Sequence, residues 1–132
     1  MNDKQEDSRA LAARTLLCVE RRSEEAESRF AALRNAGYQI IWTDSVSQAL
    51  KAFVSQTVDA VLLDAEFGNG KKQSVRAQMS SIRPHIPIVA MCRDGDVRSV
   101  DTKSFTRIYR HRDGSDVLLK LLQELFSGKK SR

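Results

Sequence analysis

With 132 residues, 41% hydrophobic and 30% charged, the chain has the length and composition of one soluble globular domain that buries a core without metals or disulfides, which excludes fibrous and disordered classes. Its net charge of +5, concentrated beyond Gly70, suits an acidic partner but does not point to nucleic acid, because no aromatic residues interleave with the cations at stacking spacing. The apolar runs fall well short of the ~18 residues that cross a bilayer, and the polar start has no secretory signal core, so the expected setting is cytoplasmic, away from any membrane.

A polar arm over residues 1–13 precedes a short run at 14–19, apolar from Leu16 on, that suits a strand buried on both faces. Ser23 then caps a helix whose first turn carries Glu24 and Glu25, favourable at the positive end of the helix dipole. Ala26, Phe30 and Leu33 follow at helical spacing, and Gly37 is the stop. Residues 38–43, aromatic and β-branched, read as a second strand. Ser45 and Gln48 make a capping-box pattern ahead of a second helix, with Val46, Ala49, Leu50 and Phe53 on one face. A third strand at 58–64 ends on Asp64 and runs into a glycine-bearing loop at 66–70. Val75, Met79 and Ile82 are spaced for a third helix closed by Pro84, and residues 86–92 form a fourth strand. Residues 93–104 are polar apart from Val97 and Val100, so the helix expected there is short or degenerate. Residues 105–110 give a fifth strand, and Ser115 caps a last helix carrying Val117, Leu118, Leu121, Leu122 and Leu125. A basic tail closes the chain at 128–132. Cys18 and Cys92 lie inside strands, where they are expected to be buried and unbridged.

Strands alternating with helices imply βαβ crossovers and a doubly wound parallel sheet with helices on both faces. In such sheets functional groups gather at the carboxyl ends of the strands. That rule singles out Glu20 and Arg21 after the first strand, Asp64 after the third, Cys92 after the fourth, and the arginines after the fifth. Two weaker signals fail. Residues 68–72 have the glycines and lysines of a phosphate loop, but Ala65 stands where its first glycine belongs and Lys72 where Ser or Thr follows the lysine. His85 and His111 lie beside different strands, with no Cys or His at zinc-site spacing.

In this order of elements, the third strand closes on Val61, Leu62, Leu63 and Asp64, an acid ends the first, and Pro87, Ile88, Val89, Ala90 and Met91 build the fourth. On these residues the chain resembles the receiver domain of two-component response regulators, the CheY-like family, over residues 14–127. The resemblance implies a flavodoxin-like (βα)5 domain with Asp64 as acceptor of a phosphoryl group from a histidine kinase. That transfer needs a carboxylate nucleophile, a divalent cation and donors for the phosphoryl oxygens.

Receivers hold Mg²⁺ with two acids after the first strand. Here Glu20 matches the first and Arg21 replaces the second, so the implied metal set is Glu20 and Asp64, with Glu66 as a replacement carboxylate. Arg21 disrupts the site, and Mg²⁺ binding is expected to be weak. Arg21 is either solvated in the first turn or paired with Asp64, where it would take the space of the metal. Cys92, a weak donor, stands at the family's hydroxyl position. Arg112 matches the family lysine if Tyr109 takes the aromatic position before it, and Arg110 does so in another register; Asp113 replaces the usual proline.

The implied role is a stand-alone receiver in phosphorelay signalling, not an enzyme in the ordinary sense. Its partners would be a histidine kinase, a phosphotransfer protein or another signalling protein, and a homodimer is allowed; nothing after residue 126 resembles an output domain. The first alternative is a phosphorylation-independent pseudo-receiver, locked by Arg21 and used for docking or dimerisation. The second is a basic nucleic-acid-binding module, for which only the charge speaks.

Overall fold

The structure, a computed structural model, describes residues 13–65, 75–93 and 105–128. The strands are β1 (Thr15–Val19), β2 (Gln39–Thr43), β3 (Ala60–Asp64), β4 (Ile88–Cys92) and β5 (Arg107–Arg110). Between and after them lie α1 (Glu24–Asn35), α2 (Val46–Ser55), α3 (Val75–Ile82) and α4 (Ser115–Ser127), the last preceded by a 3-10 turn at His111–Asp113. All strand pairs are parallel, in the order β2-β1-β3-β4-β5. The expected doubly wound five-stranded parallel sheet is therefore found. The interval in which a degenerate helix was expected lies, from residue 94 on, outside the described residues, as do Glu66, the loop at 66–70 and the tail from 129. Among the described residues no helix is long and apolar enough to cross a membrane.

Alternation along the strands sorts the core onto two faces. Leu16, Cys18, Leu62, Val89, Met91 and Tyr109 pack against α1 and α4. Leu17, Val19, Val61, Leu63 and Ile88 pack against α2 and α3. The interior strands β3 and β4 are buried at every position, which is why they read as unbroken apolar runs. At the sheet's borders β2 and β5 are only partly buried, and Arg107 and Arg110 put charge on the β5 edge, a device that discourages pairing with another chain.

The strands begin later than their apolar runs. β3 starts at Ala60, because the Asp59 carboxylate accepts a hydrogen bond from the Thr15 amide at 2.7 Å. β4 starts after Pro87, which has no amide to give to the ladder. Ser23 caps α1 as expected, its hydroxyl accepting from the Ala26 amide at 3.0 Å, and Gly37 turns the chain at φ 104°, a left-handed angle that favours glycine.

Three sequence expectations are corrected. Ser45 caps α2 through the Gln48 amide, but its own amide donates to Thr43 Oγ1 at 3.1 Å, so half of the expected box is made by Thr43. Ser115 is the first residue of α4 rather than its cap. Gly114 holds the capping position at φ 87° with no side-chain bond, because the 3-10 turn ahead of it requires a left-handed residue there. Val46, Ile82 and Val117 lie exposed in the terminal turns of their helices, outside the core. The buried face of α2 is Ala49, Ala52 and Phe53.

One side chain fastens two helices. Arg83, just past α3, donates to the carbonyls of Phe53 at 3.0 Å and Val54 at 3.3 Å, which closes the C-terminal end of α2, where cations are favoured. Its guanidinium also lies 5.7 Å from the centre of the Phe53 ring. Arg83→Ala should lower stability by about 1–2 kcal/mol, read as a lower urea midpoint at constant slope; an unchanged midpoint would show that water serves these carbonyls equally well. Cys18 and Cys92 are free and buried, and burial pushes the Cys18 thiol well above the usual thiol range. Both should resist a thiol reagent in the native protein and react on unfolding; rapid native labelling of either would contradict the packing.

Candidate functional site

The carboxyl edge of the sheet brings the singled-out acids together. β1 and β3 run in register to Val19 opposite Leu63, and one further step sets Glu20 beside Asp64, about 5 Å apart at ordinary strand spacing. By alternation both follow Cys18 and Leu62 onto the α1 side. Both are buried, Glu20 at 3% and Asp64 at 2% exposure. The backbone of Glu20 is pinned to β2: its amide donates to Thr43 O at 3.1 Å, and its carbonyl accepts from the Trp42 indole at 2.8 Å.

A residue that the sequence reading did not single out reaches this edge. Arg29, in the second turn of α1, donates from Nη2 to Glu20 Oε1 in a buried ion pair, with the two side chains only 5% and 4% exposed. The missed signal was positional. Ala26, Arg29, Phe30 and Leu33 form the buried face of α1, so an arginine on an apolar stripe has to meet an acid under the sheet's edge. Arg21, expected to disturb the acids, is exposed. Its neighbour Arg22 lies over the Trp42 ring at 4.9 Å. The guanidinium at the acids is thus that of Arg29.

The pair is incompletely satisfied. Glu20 Oε2, Arg29 Nε and both ring nitrogens of His111 are buried without hydrogen-bond partners. Burial pushes the Glu20 carboxyl up, the Arg29 guanidinium opposes that shift, and Asp64 adds to it. His111 Nδ1 lies 3.9 Å from Glu25 Oε1. Burial, with Arg29 next, pushes this imidazole down from its ordinary value. His111 and Arg112 line a cleft of about 310 Å³ together with Glu25 and Arg93.

The remaining site candidates divide between the faces. Tyr109 is buried in the α1/α4 core, its ring centre 6.3 Å from that of His111. Cys92, the last residue of β4, is buried with Ala90 and Ala65 and stands in register with Arg110. Arg112 lies two residues further on, in the 3-10 turn. Among the described residues there is no group of three or more His, Cys, Asp or Glu that could hold a metal ion. Glu20 Oε2 and the Asp64 carboxylate are the oxygens a divalent cation would take, in competition with Arg29.

Neither a protein-family model nor a curated protein matches the sequence. Solved structures do. The receiver domain of a sensor histidine kinase from Pseudomonas aeruginosa PAO1, with a magnesium ion coordinated in its active-site cleft, matches at TM-score 0.76 and 20% identity, over 87% of this chain and 98% of that one. A response regulator receiver protein from Sinorhizobium medicae WSM419 matches at TM-score 0.73 and 18% identity, over 89% and 98%. A chain in the complex of the histidine kinase ThkA with the response regulator protein TrrA matches at TM-score 0.72 and 21% identity, over 85% and 97%. With β1 and β3 side by side and the acids at their carboxyl ends, the chain has the CheY-like receiver fold, a five-stranded member of the flavodoxin-like α/β architecture.

Proposed function

We propose that the chain is a receiver-type signalling module in a two-component phosphorelay, with Asp64 as the phospho-acceptor, and that its metal site is impaired. The observation that carries this reading is the burial of Asp64 beside Glu20 at the carboxyl edge of β3 and β1. An acceptor aspartate needs that position, because the strand end presents the carboxylate where loops from neighbouring strands supply donors.

In the transfer, an Asp64 oxygen forms a bond to phosphorus while the bond from phosphorus to the donor's nitrogen or oxygen breaks, and the leaving group keeps its electron pair. Cys92 and Arg110 at the adjoining strand ends, or Arg112 in the turn beyond, would face the phosphoryl oxygens. Bound magnesium would supply positive charge to those oxygens. On this chain it would be held by Glu20 and Asp64, with Glu66 as a third carboxylate, and weakened by Arg29 and by the outer charge of Arg21. The cleft lined by Glu25, Arg93, His111 and Arg112 is where a partner would contact the domain. That partner would be a cytoplasmic histidine kinase or phosphotransfer protein, the kind of pairing seen between ThkA and TrrA.

The buried Arg29–Glu20 pair favours a second reading, a phosphorylation-independent module for docking or dimerisation, because a guanidinium already neutralises the acid that a metal would use. Mass spectrometry separates the two. After incubation with a small phosphodonor and Mg²⁺, wild type should carry a single phosphoryl group at low occupancy, and Asp64→Ala none. No adduct on wild type would favour the docking module, and an adduct that survives Asp64→Ala would remove Asp64 from the acceptor role.

A further inference from the structure

We infer that Arg29 is the resident cation of the acidic edge, a positioning residue that fills from within the protein the electrostatic place a divalent metal would otherwise take. The inference rests on reading Glu20 and Asp64 as a receiver-type acidic pair.

Three observations support it. The ion pair is buried on both sides, so it is not one of the exposed helix pairs that exchange freely with solvent. It is also not a pair optimised for its own sake. Arginine and carboxylate pair best through two parallel bonds, yet here Glu20 Oε2 and Arg29 Nε are left without partners. Arg29 is carried to the edge on the buried face of α1, which it shares with Ala26, Phe30 and Leu33, and it meets the acid through Nη2. Finally, the guanidinium already neutralises one of the two buried carboxylates of the edge. Mg²⁺ gives up its water reluctantly and takes carboxylates as ligands, whereas the guanidinium is always charged and is tethered at the acid by the chain, its desolvation met once on folding. The charge of Glu20 is thus met by the chain itself, whatever the surrounding metal concentration.

A merely structural arginine and a resident cation differ in one readout. Removal of either lowers stability, but only removal of a resident cation creates a metal response. The melting temperature of the full chain would be followed against MgCl₂ at constant ionic strength for wild type, Arg29→Gln, Arg29→Lys and the double variant Glu20→Gln/Arg29→Gln. A ligand that binds the native state raises the melting temperature with its concentration. Wild type and Arg29→Lys should show a much smaller Mg²⁺-dependent rise than Arg29→Gln, which should melt lower without metal and climb steeply with Mg²⁺, and the double variant should lose that climb. A wild-type rise equal to that of Arg29→Gln, or a folded Arg29→Gln that ignores Mg²⁺, overturns the inference. Should Arg29→Gln stay unfolded at all Mg²⁺ concentrations, wild type decides through Trp42, whose indole is bonded to the Glu20 carbonyl. Fluorescence that Mg²⁺ leaves unchanged, or changes only without saturating, supports a filled site, and a change that saturates at low Mg²⁺ overturns it. No step of this titration passes through phosphorylation, so a failure of Asp64 to accept a phosphoryl group would count against the phosphorelay reading and leave this result standing.

Discussion

A parallel sheet covered on both faces can gather polar side chains in one place without breaking its ladder, at the ends of its strands. β3 and β4 leave no exposed position from Ala60 to Asp64 or from Ile88 to Cys92, so a charge inside either strand would sit in hydrocarbon at a cost of several kcal/mol. The chain puts its buried acids one step past β1 and on the last residue of β3. The topology makes these two strands neighbours, although their acids are 44 residues apart in sequence. The chemistry of the domain is therefore a consequence of the strand order, which fixes which strand ends meet.

Two acids brought together in that way need a counter-charge. A guanidinium about 4 Å from a carboxylate attracts it by roughly 4 kcal/mol at an effective dielectric near 20, while desolvation costs several kcal/mol for each ion. The Arg29–Glu20 pair is thus no source of net stability, and its importance lies in position. Taking away one partner alone is a different matter, since it strands the other charge in the interior at a cost of about 3–5 kcal/mol. The polar atoms of Glu20, Arg29 and His111 that lack partners belong to the same carboxyl edge. Buried polar atoms without partners are uncommon in folded proteins, and here those found among the described residues gather at one edge.

Most of the fold was legible because it depends on patterns that are local in sequence. Apolar runs bounded by Ser23, Gly37 and Pro84 marked the elements, and alternation implied the parallel sheet. Details failed where a neighbour outside the pattern intervened: Asp59 and Pro87 delayed two strands, and Gly114 took the cap from Ser115. Val46, Ile82 and Val117 followed helical spacing and still missed the core, because periodicity identifies a face but not how far along the helix the sheet extends. The site was read in part. Asp64, Glu20 and Cys92 follow from the strand-end rule, whereas Arg29 had its signal in what interrupts the stripe Ala26, Phe30, Leu33. A count of apolar matches passes over a charged residue on the buried face, although such a residue needs a buried partner.

The same division explains how a sequence can share a fold with solved receivers while matching no family model. What the sheet demands is burial at alternate or successive positions, and Val, Ile, Leu, Ala, Met and Cys meet that demand almost interchangeably when volume is conserved. Residue identity matters chiefly at the strand ends, where Glu20, Arg21, Asp64 and Cys92 stand. Arg21 is exposed beyond the end of β1 and takes no part in the ladder. Arg29 differs, because it joins the edge to the core face of α1. A substitution at Arg21 alters only the charge around the acids, whereas one at Arg29 alters the acids and the helix packing together. The electrostatics of this edge are in that sense built into the fold.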